Sequence, residues 1–187
     1  MLMQGKKGLI MGVANDRSIA WGIAKSLADN GASIALTYQG EALKKRVEPL
    51  AQSINSDILI PCDVADSLSM KNVFKTLNEK WGQLDFLVHG IGFSNKDELR
   101  GKYYNTTSEN FNQTMHISCY SFTEACRLAE PLMNEGGSIL TLTYYGAEQV
   151  MPHYNVMGVA KAALEASVRY LAVDLGEKNV RVNAITV

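Results

Sequence analysis

A doubly wound α/β fold built on a parallel sheet (a Rossmann fold) is what this sequence predicts. Three observations predict it. Short apolar runs recur at fairly even intervals, and each is continuous rather than alternating, as strands buried on both faces require. Helical patterns fill the intervals between them. The first run ends in Met11-Gly12-Val13-Ala14-Asn15-Asp16-Arg17-Ser18, a glycine-bearing turn from strand into helix.

The elements follow in order. Strands are expected at Gly8 to Val13, Ser33 to Tyr38, Asp57 to Pro61, Leu84 to His89, Ser138 to Thr143 and Val180 to Val187. The first helix puts Ile19, Ala20, Ile23, Ala24 and Leu27 on one stripe and stops at Asn30-Gly31, a C-terminal signal. The second runs from about Glu41 to Ser53 with Lys44, Lys45 and Arg46 exposed. The third covers about Ser67 to Trp81 and stops at Gly82. The fourth is capped at Thr107-Ser108 and runs as one helix to about Leu132; Gly136-Gly137 then opens the fifth strand. The fifth helix covers about Asn155 to Gly176. No linker, repeat or low-complexity segment interrupts the rhythm, so residues 1–187 are expected to form a single domain.

Bulk composition narrows the function classes. At 187 residues and 47% hydrophobic, the chain can bury one sizeable core. Its formal net charge is −1, with acids and bases interspersed, which argues against a nucleic-acid surface or a polybasic membrane patch. Three cysteines without metal spacing fit a reducing cytosol. His89, His116 and His153 are scattered, so no metal site is expected. No stretch approaches the ~20 apolar residues of a membrane span.

The chemistry-bearing residues gather at strand ends. Gly12 would let backbone approach a pyrophosphate, and the helix beginning after it offers free N–H groups and the positive end of its dipole. Ser18 is placed to cap that helix and to touch phosphate. The second strand ends Thr37-Tyr38-Gln39. Gln39 can hydrogen-bond a ribose but supplies no carboxylate, and no arginine directly follows to welcome a 2′-phosphate, which favours NADH over NADPH. Asp63, in Cys62-Asp63-Val64 after the third strand, is either a contact to adenine or a turn former. The glycines of His89-Gly90-Ile91-Gly92 permit close approach of ribose to backbone, and Phe93 to Tyr104 make a polar excursion that would border a substrate.

The strongest pattern is Tyr144-x9-Tyr154-x6-Lys161. A step of seven returns to nearly the same helix face, so Tyr154 and Lys161, read as one helix, would share a site. A phenol beside an ammonium is a sensible proton donor, its pKa expected to be lowered by the charge. Each tyrosine alone is usually a packing residue and a lone lysine usually an exposed one. Together with the glycine turn, the pattern predicts a nicotinamide-dependent reductase.

These residues resemble the short-chain dehydrogenase/reductase superfamily, and more closely its bacterial NADH-dependent enoyl-acyl-carrier-protein reductase branch. The resemblance covers Lys7 to Val187. It is carried by Gly12-Val13-Ala14 through Ser18-Ile19-Ala20, Thr37-Tyr38-Gln39, Cys62-Asp63-Val64, Ile91-Gly92-Phe93, Tyr144-x-Gly146-Ala147-Glu148, Tyr154-Asn155-Val156-Met157-Gly158 and Arg181-Val182-Asn183-Ala184-Ile185. The superfamily's usual tyrosine, four residues before the lysine, is Met157 here, and its usual serine is Tyr144; both changes are those of the enoyl reductase branch. In conjugate reduction hydride enters the β-carbon while charge gathers on the thioester oxygen, farther away. A phenol moved back three helical residues would shift by ~4.5 Å to meet it.

The resemblance implies reduction of trans-2-enoyl-acyl-carrier-protein thioesters by NADH, the last step of type II fatty-acid elongation. It implies three catalytic residues: Tyr154 on the developing enolate oxygen, Lys161 on the nicotinamide ribose and tuning the field near Tyr154, and Tyr144 lining the site and assisting protonation. Gly12, Ser18, Ile19, Gln39, Asp63, Val64 and Ile91 are implied as cofactor contacts and Ser94 as a backbone contact to substrate. It further implies acyl carrier protein as partner, a homotetramer and a cytoplasmic location. Gly90 stands where relatives often carry serine. Relatives also continue past the equivalent of Val187 with a Pro-Gly turn, a mobile loop and helix over the substrate and a seventh strand, so the domain is expected to be incomplete at its C-terminus. Two other readings stay open: a carbonyl (β-keto) reductase of the same superfamily, and a catalytically inactive dinucleotide-binding fragment.

Overall fold

The computed structural model describes residues 1–133 and 136–187. Its six strands are β1 (Lys7–Met11), β2 (Ser33–Tyr38), β3 (Ile58–Pro61), β4 (Phe86–His89), β5 (Gly137–Thr143) and β6 (Val180–Thr186). They form one sheet in the order β3-β2-β1-β4-β5-β6, every neighbouring pair parallel. The chain reverses its direction of winding between β1 and β4, the switch point where such sheets open a crevice beyond the strand ends.

The continuous apolar runs are explained by burial on both faces. Along β1, Leu9 and Met11 join one core cluster and Ile10 the other. On β4, Leu87 goes to the first cluster while Phe86 and Val88 go to the second. The second cluster is closed by α1 (Ile19–Asp29) and α2 (Gly40–Ser53), through Ala20, Trp21, Ala24, Val47 and Ala51. The first is closed by α3 (Ser67–Trp81), α5 (Ser121–Ala129) and α6 (Val156–Gly176), with Met70, Leu77, Phe122 and Leu164 fully buried.

Two helices differ from expectation. The fourth helix begins at Ser108, with Thr107 accepting from the amide of Asn110, but it is not continuous. α4 (Ser108–Met115) gives way to a π-helical turn over His116–Tyr120, then α5, then a 3₁₀ turn over Glu130–Leu132. The last helix starts at Val156 and excludes Tyr154. Asn155 breaks the helical path with φ 40° and ψ −119°.

Candidate active site

At the switch point the ends of β1 and β4 touch through glycine. Gly12 has φ 99°, and a Cβ there would collide with the carbonyl of Gly90. Gly90 in turn donates its N–H to Met11 O at 3.0 Å. Only a residue without a side chain tolerates both the left-handed backbone and the close approach. Beyond these glycines lies a cleft of about 290 Å³ walled by the C-terminal ends of four strands: Gly12–Ala14, Thr37–Gln39, Cys62–Val64 and Gly90–Phe93.

Most residues expected to meet a dinucleotide lie here. Gly12, Gln39, Asp63, Val64 and Ile91 line the cleft. Gln39 is exposed and makes no capping bond to α2, which leaves its amide available. Asp63 spends Oδ1 on the amide of Ala65 at 2.9 Å, so it forms a turn while it lines the wall. Ser18 occupies the N-cap position of α1 but does not cap with its side chain. Its Oγ donates to Asn15 O at 2.6 Å and accepts from the amide of Ala14 at 3.3 Å. The hydroxyl therefore braces the turn and does not occupy the first amides of the helix. Ile19, the first residue of α1, is half-exposed.

Lys161 adjoins the cleft, whereas neither Tyr144 nor Tyr154 lines it. Val156, Met157, Ala160, Lys161, Leu164 and Val168 form the buried stripe of α6, so Lys161 is a lysine in a core position, 8% exposed. Its Nζ donates to Leu142 O at the end of β5 at 2.8 Å, and burial lowers its pKa from the ordinary value. A Cβ on Gly92 would lie 3.8 Å from that nitrogen, so the cleft wall and the ammonium adjoin. Met157 is buried, and Ser118 Oγ lies 3.7 Å from its Sδ.

Tyr144 follows β5 and Tyr154 precedes α6. Their rings meet edge to face, centroids 4.9 Å apart and planes at 69°, a favoured aromatic geometry. The Tyr154 ring lies against a glycine: a Cβ on Gly146 would come within 2.7 Å of its Cε1. A second hollow of about 330 Å³ opens along Tyr154, floored by Gly146 and Gly158 and walled by Tyr103, Met151 and Val159. Two expectations about this phenol are corrected. It is not on the helix with Lys161, so neither the seven-residue helical step nor a 4.5 Å helical displacement describes its position. Nor is its pKa lowered. Burial, with the neighbouring Tyr144 second, pushes it up to about 12, so Tyr154 holds its proton well above neutrality.

Ser94 lies in the excursion after β4 and is clasped from below. Thr114 Oγ1 donates to Ser94 Oγ at 2.9 Å, Asn110 Nδ2 donates to it at 3.2 Å, and Asn110 Oδ1 accepts from the amide of Asn95 at 2.9 Å. In the π turn, Ser118 Oγ donates to Phe93 O at 3.1 Å and lies 3.0 Å from the Phe93 amide. Sequence reasoning missed this clasp. Its signal was present: Asn110, Thr114, Ser118 and Ser121 repeat at helical spacing and form a buried polar stripe. His89, completely buried at the end of β4, was also missed. Ser121 Oγ donates to Ile117 O at 2.7 Å and so accepts from His89 Nε2 at 2.8 Å, which fixes the tautomer. Nδ1 has no partner among the described residues, and burial, with the Lys161 charge second, holds the ring pKa down to about 3.

Comparison with known proteins decides the family. The family model described as Enoyl-(Acyl carrier protein) reductase matches residues 12–187. This chain belongs to that reductase family. It is 67% identical over 185 residues to enoyl-[acyl-carrier-protein] reductase [NADH] 1 of Rhizobium meliloti (strain 1021), covering 99% of this chain and 68% of the relative. It is 50% identical over 186 residues to the enoyl-[acyl-carrier-protein] reductase [NADH] FabI of Bacillus subtilis (strain 168), covering 98% and 72%. The crystal structure of the enoyl-(acyl-carrier-protein) reductase of Anaplasma phagocytophilum in complex with NAD superposes with a TM-score of 0.98 at 63% identity, over 100% of this chain and 71% of that one. Within the reductase family, then, the expected fold class and resemblance hold. Among the described residues no helix is long and apolar enough to cross a membrane, and no group of three His, Cys, Asp or Glu side chains could hold a metal.

Proposed function

We propose that this chain, as one dinucleotide-binding reductase domain, reduces the carbon–carbon double bond of trans-2-enoyl thioesters presented by acyl carrier protein, with NADH as reductant, closing the elongation cycle of fatty-acid synthesis. The observation that carries this reading is the buried Lys161 adjoining the glycine-walled cleft, with the half-buried, neutral Tyr154 in the turn just before its helix. The residues suit the cofactor. Gly12 and Gly90 leave no side chain between the strand ends, α1 presents free amides to a diphosphate, and Gln39 and Asp63 stand where ribose and adenine contacts belong. When bound, NADH supplies the hydride that enters the β-carbon.

The chain's own groups do the rest. Lys161, already oriented by Leu142 O, keeps further N–H donors for ribose hydroxyls. Tyr154 keeps its proton and donates a hydrogen bond to the thioester oxygen as negative charge collects there. That interaction strengthens toward the transition state and thereby speeds the reaction. Tyr144 walls the site and holds the Tyr154 ring on edge. Ile19, Val64 and Ile91 pack about the cofactor, Ser18 shapes its turn, and the backbone at Ser94 faces substrate. Met157 fills the position from which a ketone reductase would donate its proton, so β-keto reduction has no phenol there. We further propose a homotetramer acting in the cytoplasm.

The test is an assay of the protein with NADH and crotonyl thioester, following nicotinamide absorbance. Turnover with the enoyl substrate and none with a β-keto thioester is expected. The reverse preference, or cofactor binding without turnover of either, would overturn the reading.

A further inference from the structure

Tyr154 is held by an unusual backbone. His153 and Asn155, its two neighbours, both have positive φ, 61° and 40°. With ψ −119° and the amide of Met157 donating to Tyr154 O at 2.9 Å, Asn155 occupies the first central position of a type II′ turn, a place that glycine dominates. A non-glycine residue stays there when its surroundings over-determine it. Here they do. The Asn155 side-chain Nδ2 donates to Gly101 O at 2.8 Å and to Glu98 O at 3.3 Å. Glu98 is itself anchored, its carboxylate accepting from the amide and hydroxyl of Thr107, each at 2.9 Å. The excursion that follows β4 is thus fixed to the start of α4, and Asn155 fastens the Tyr154 turn to that excursion.

We propose that Asn155 is a positioning residue for Tyr154: its amide clasp on Gly101 and Glu98 aims the phenol at the substrate and ties it to the segment carrying Ser94. This rests on the role given to Tyr154 above. Asn155 lines the hollow beside Tyr154 and not the dinucleotide cleft, so the clasp governs the chemical step and leaves cofactor binding alone. A small misplacement of a reacting group is enough to slow chemistry steeply.

The experiment is a double-mutant cycle on the full chain, with NADH and crotonyl thioester. Asn155→Gly keeps the positive φ and deletes the clasp. Asn155→Asp keeps the size and loses the donor, and carries the test if the glycine variant fails to fold. Each is expected to lower kcat by about 10-fold or more with NADH affinity unchanged. In a Tyr154→Phe background each is expected to add less than about twofold, because the group it aims is gone. An equal loss in both backgrounds, a loss of NADH affinity in step with kcat, or no loss at all overturns the proposal. If Tyr154→Phe alone leaves turnover intact, the role of the phenol falls, and this inference with it; that failure is visible in the single variant.

Discussion

The rings of Tyr144 and Tyr154 stand edge to face at 4.9 Å, one carried by the end of β5 and the other by the turn before α6. The contact joins two segments ten residues apart across a reversal of the chain, and it makes Tyr144 a wall for the phenol beside it. Tyr144→Phe keeps that wall and is expected to lower kcat/KM by less than about tenfold. Tyr144→Ala removes it and is expected to cost more. Steady-state kinetics of the two variants checks this; an equal, large loss in both would assign the chemistry to the Tyr144 hydroxyl.

Lys161 occupies a core position on α6 because its ammonium has Leu142 O to bond and a cleft to face. Lys161→Ala is expected to weaken NADH binding by about tenfold or more, from loss of a charged hydrogen-bond donor. Fluorescence titration with NADH measures it, and unchanged affinity would contradict the role.

Gly12 leaves no room for a methyl group between β1 and β4. Gly12→Ala would drive a Cβ against the Gly90 carbonyl and strain a residue with φ 99°. It is expected to abolish NADH binding and to lower stability by about 1–3 kcal/mol. Calorimetry and denaturant unfolding read the two effects. Wild-type binding in this variant would remove the close approach from the account.

His89 gives stability a defined pH dependence. Its folded pKa, about 3, lies below the ordinary 6.5, so the unfolded chain binds the extra proton first. The contribution is complete above about pH 6.5 and is lost as pH falls toward about 3, at up to ~1.4 kcal/mol per pH unit. His89→Gln should flatten that acid limb. Denaturant unfolding between about pH 7 and pH 5 tests it; identical slopes in the two proteins would contradict the assignment.

How much of this was legible in the sequence depends on where local rules were obeyed. The strands were, since Leu9-Ile10-Met11 and Phe86-Leu87-Val88 feed both cores and leave no polar face to hide. β1 ends two residues earlier than expected because Gly12 turns to positive φ. The cleft followed from Gly12, Gln39 and Asp63 at strand ends. The break in the fourth helix was not legible, because the π turn carries Ser118 to a partner, Phe93, 25 residues away in sequence. Nor was the exit of Tyr154 from the last helix, since Asn155 is held in its turn by carbonyls of a distant loop. The raised pKa of Tyr154 was missed for a related reason: spacing predicts a lysine beside the phenol, but burial depends on the packed whole.

The role of Tyr154 is tested most directly by removing one oxygen atom. Turnover of crotonyl thioester by Tyr154→Phe, at saturating NADH, is expected to fall by about 10²- to 10³-fold, with NADH affinity intact. Turnover equal to that of the unaltered protein would contradict it.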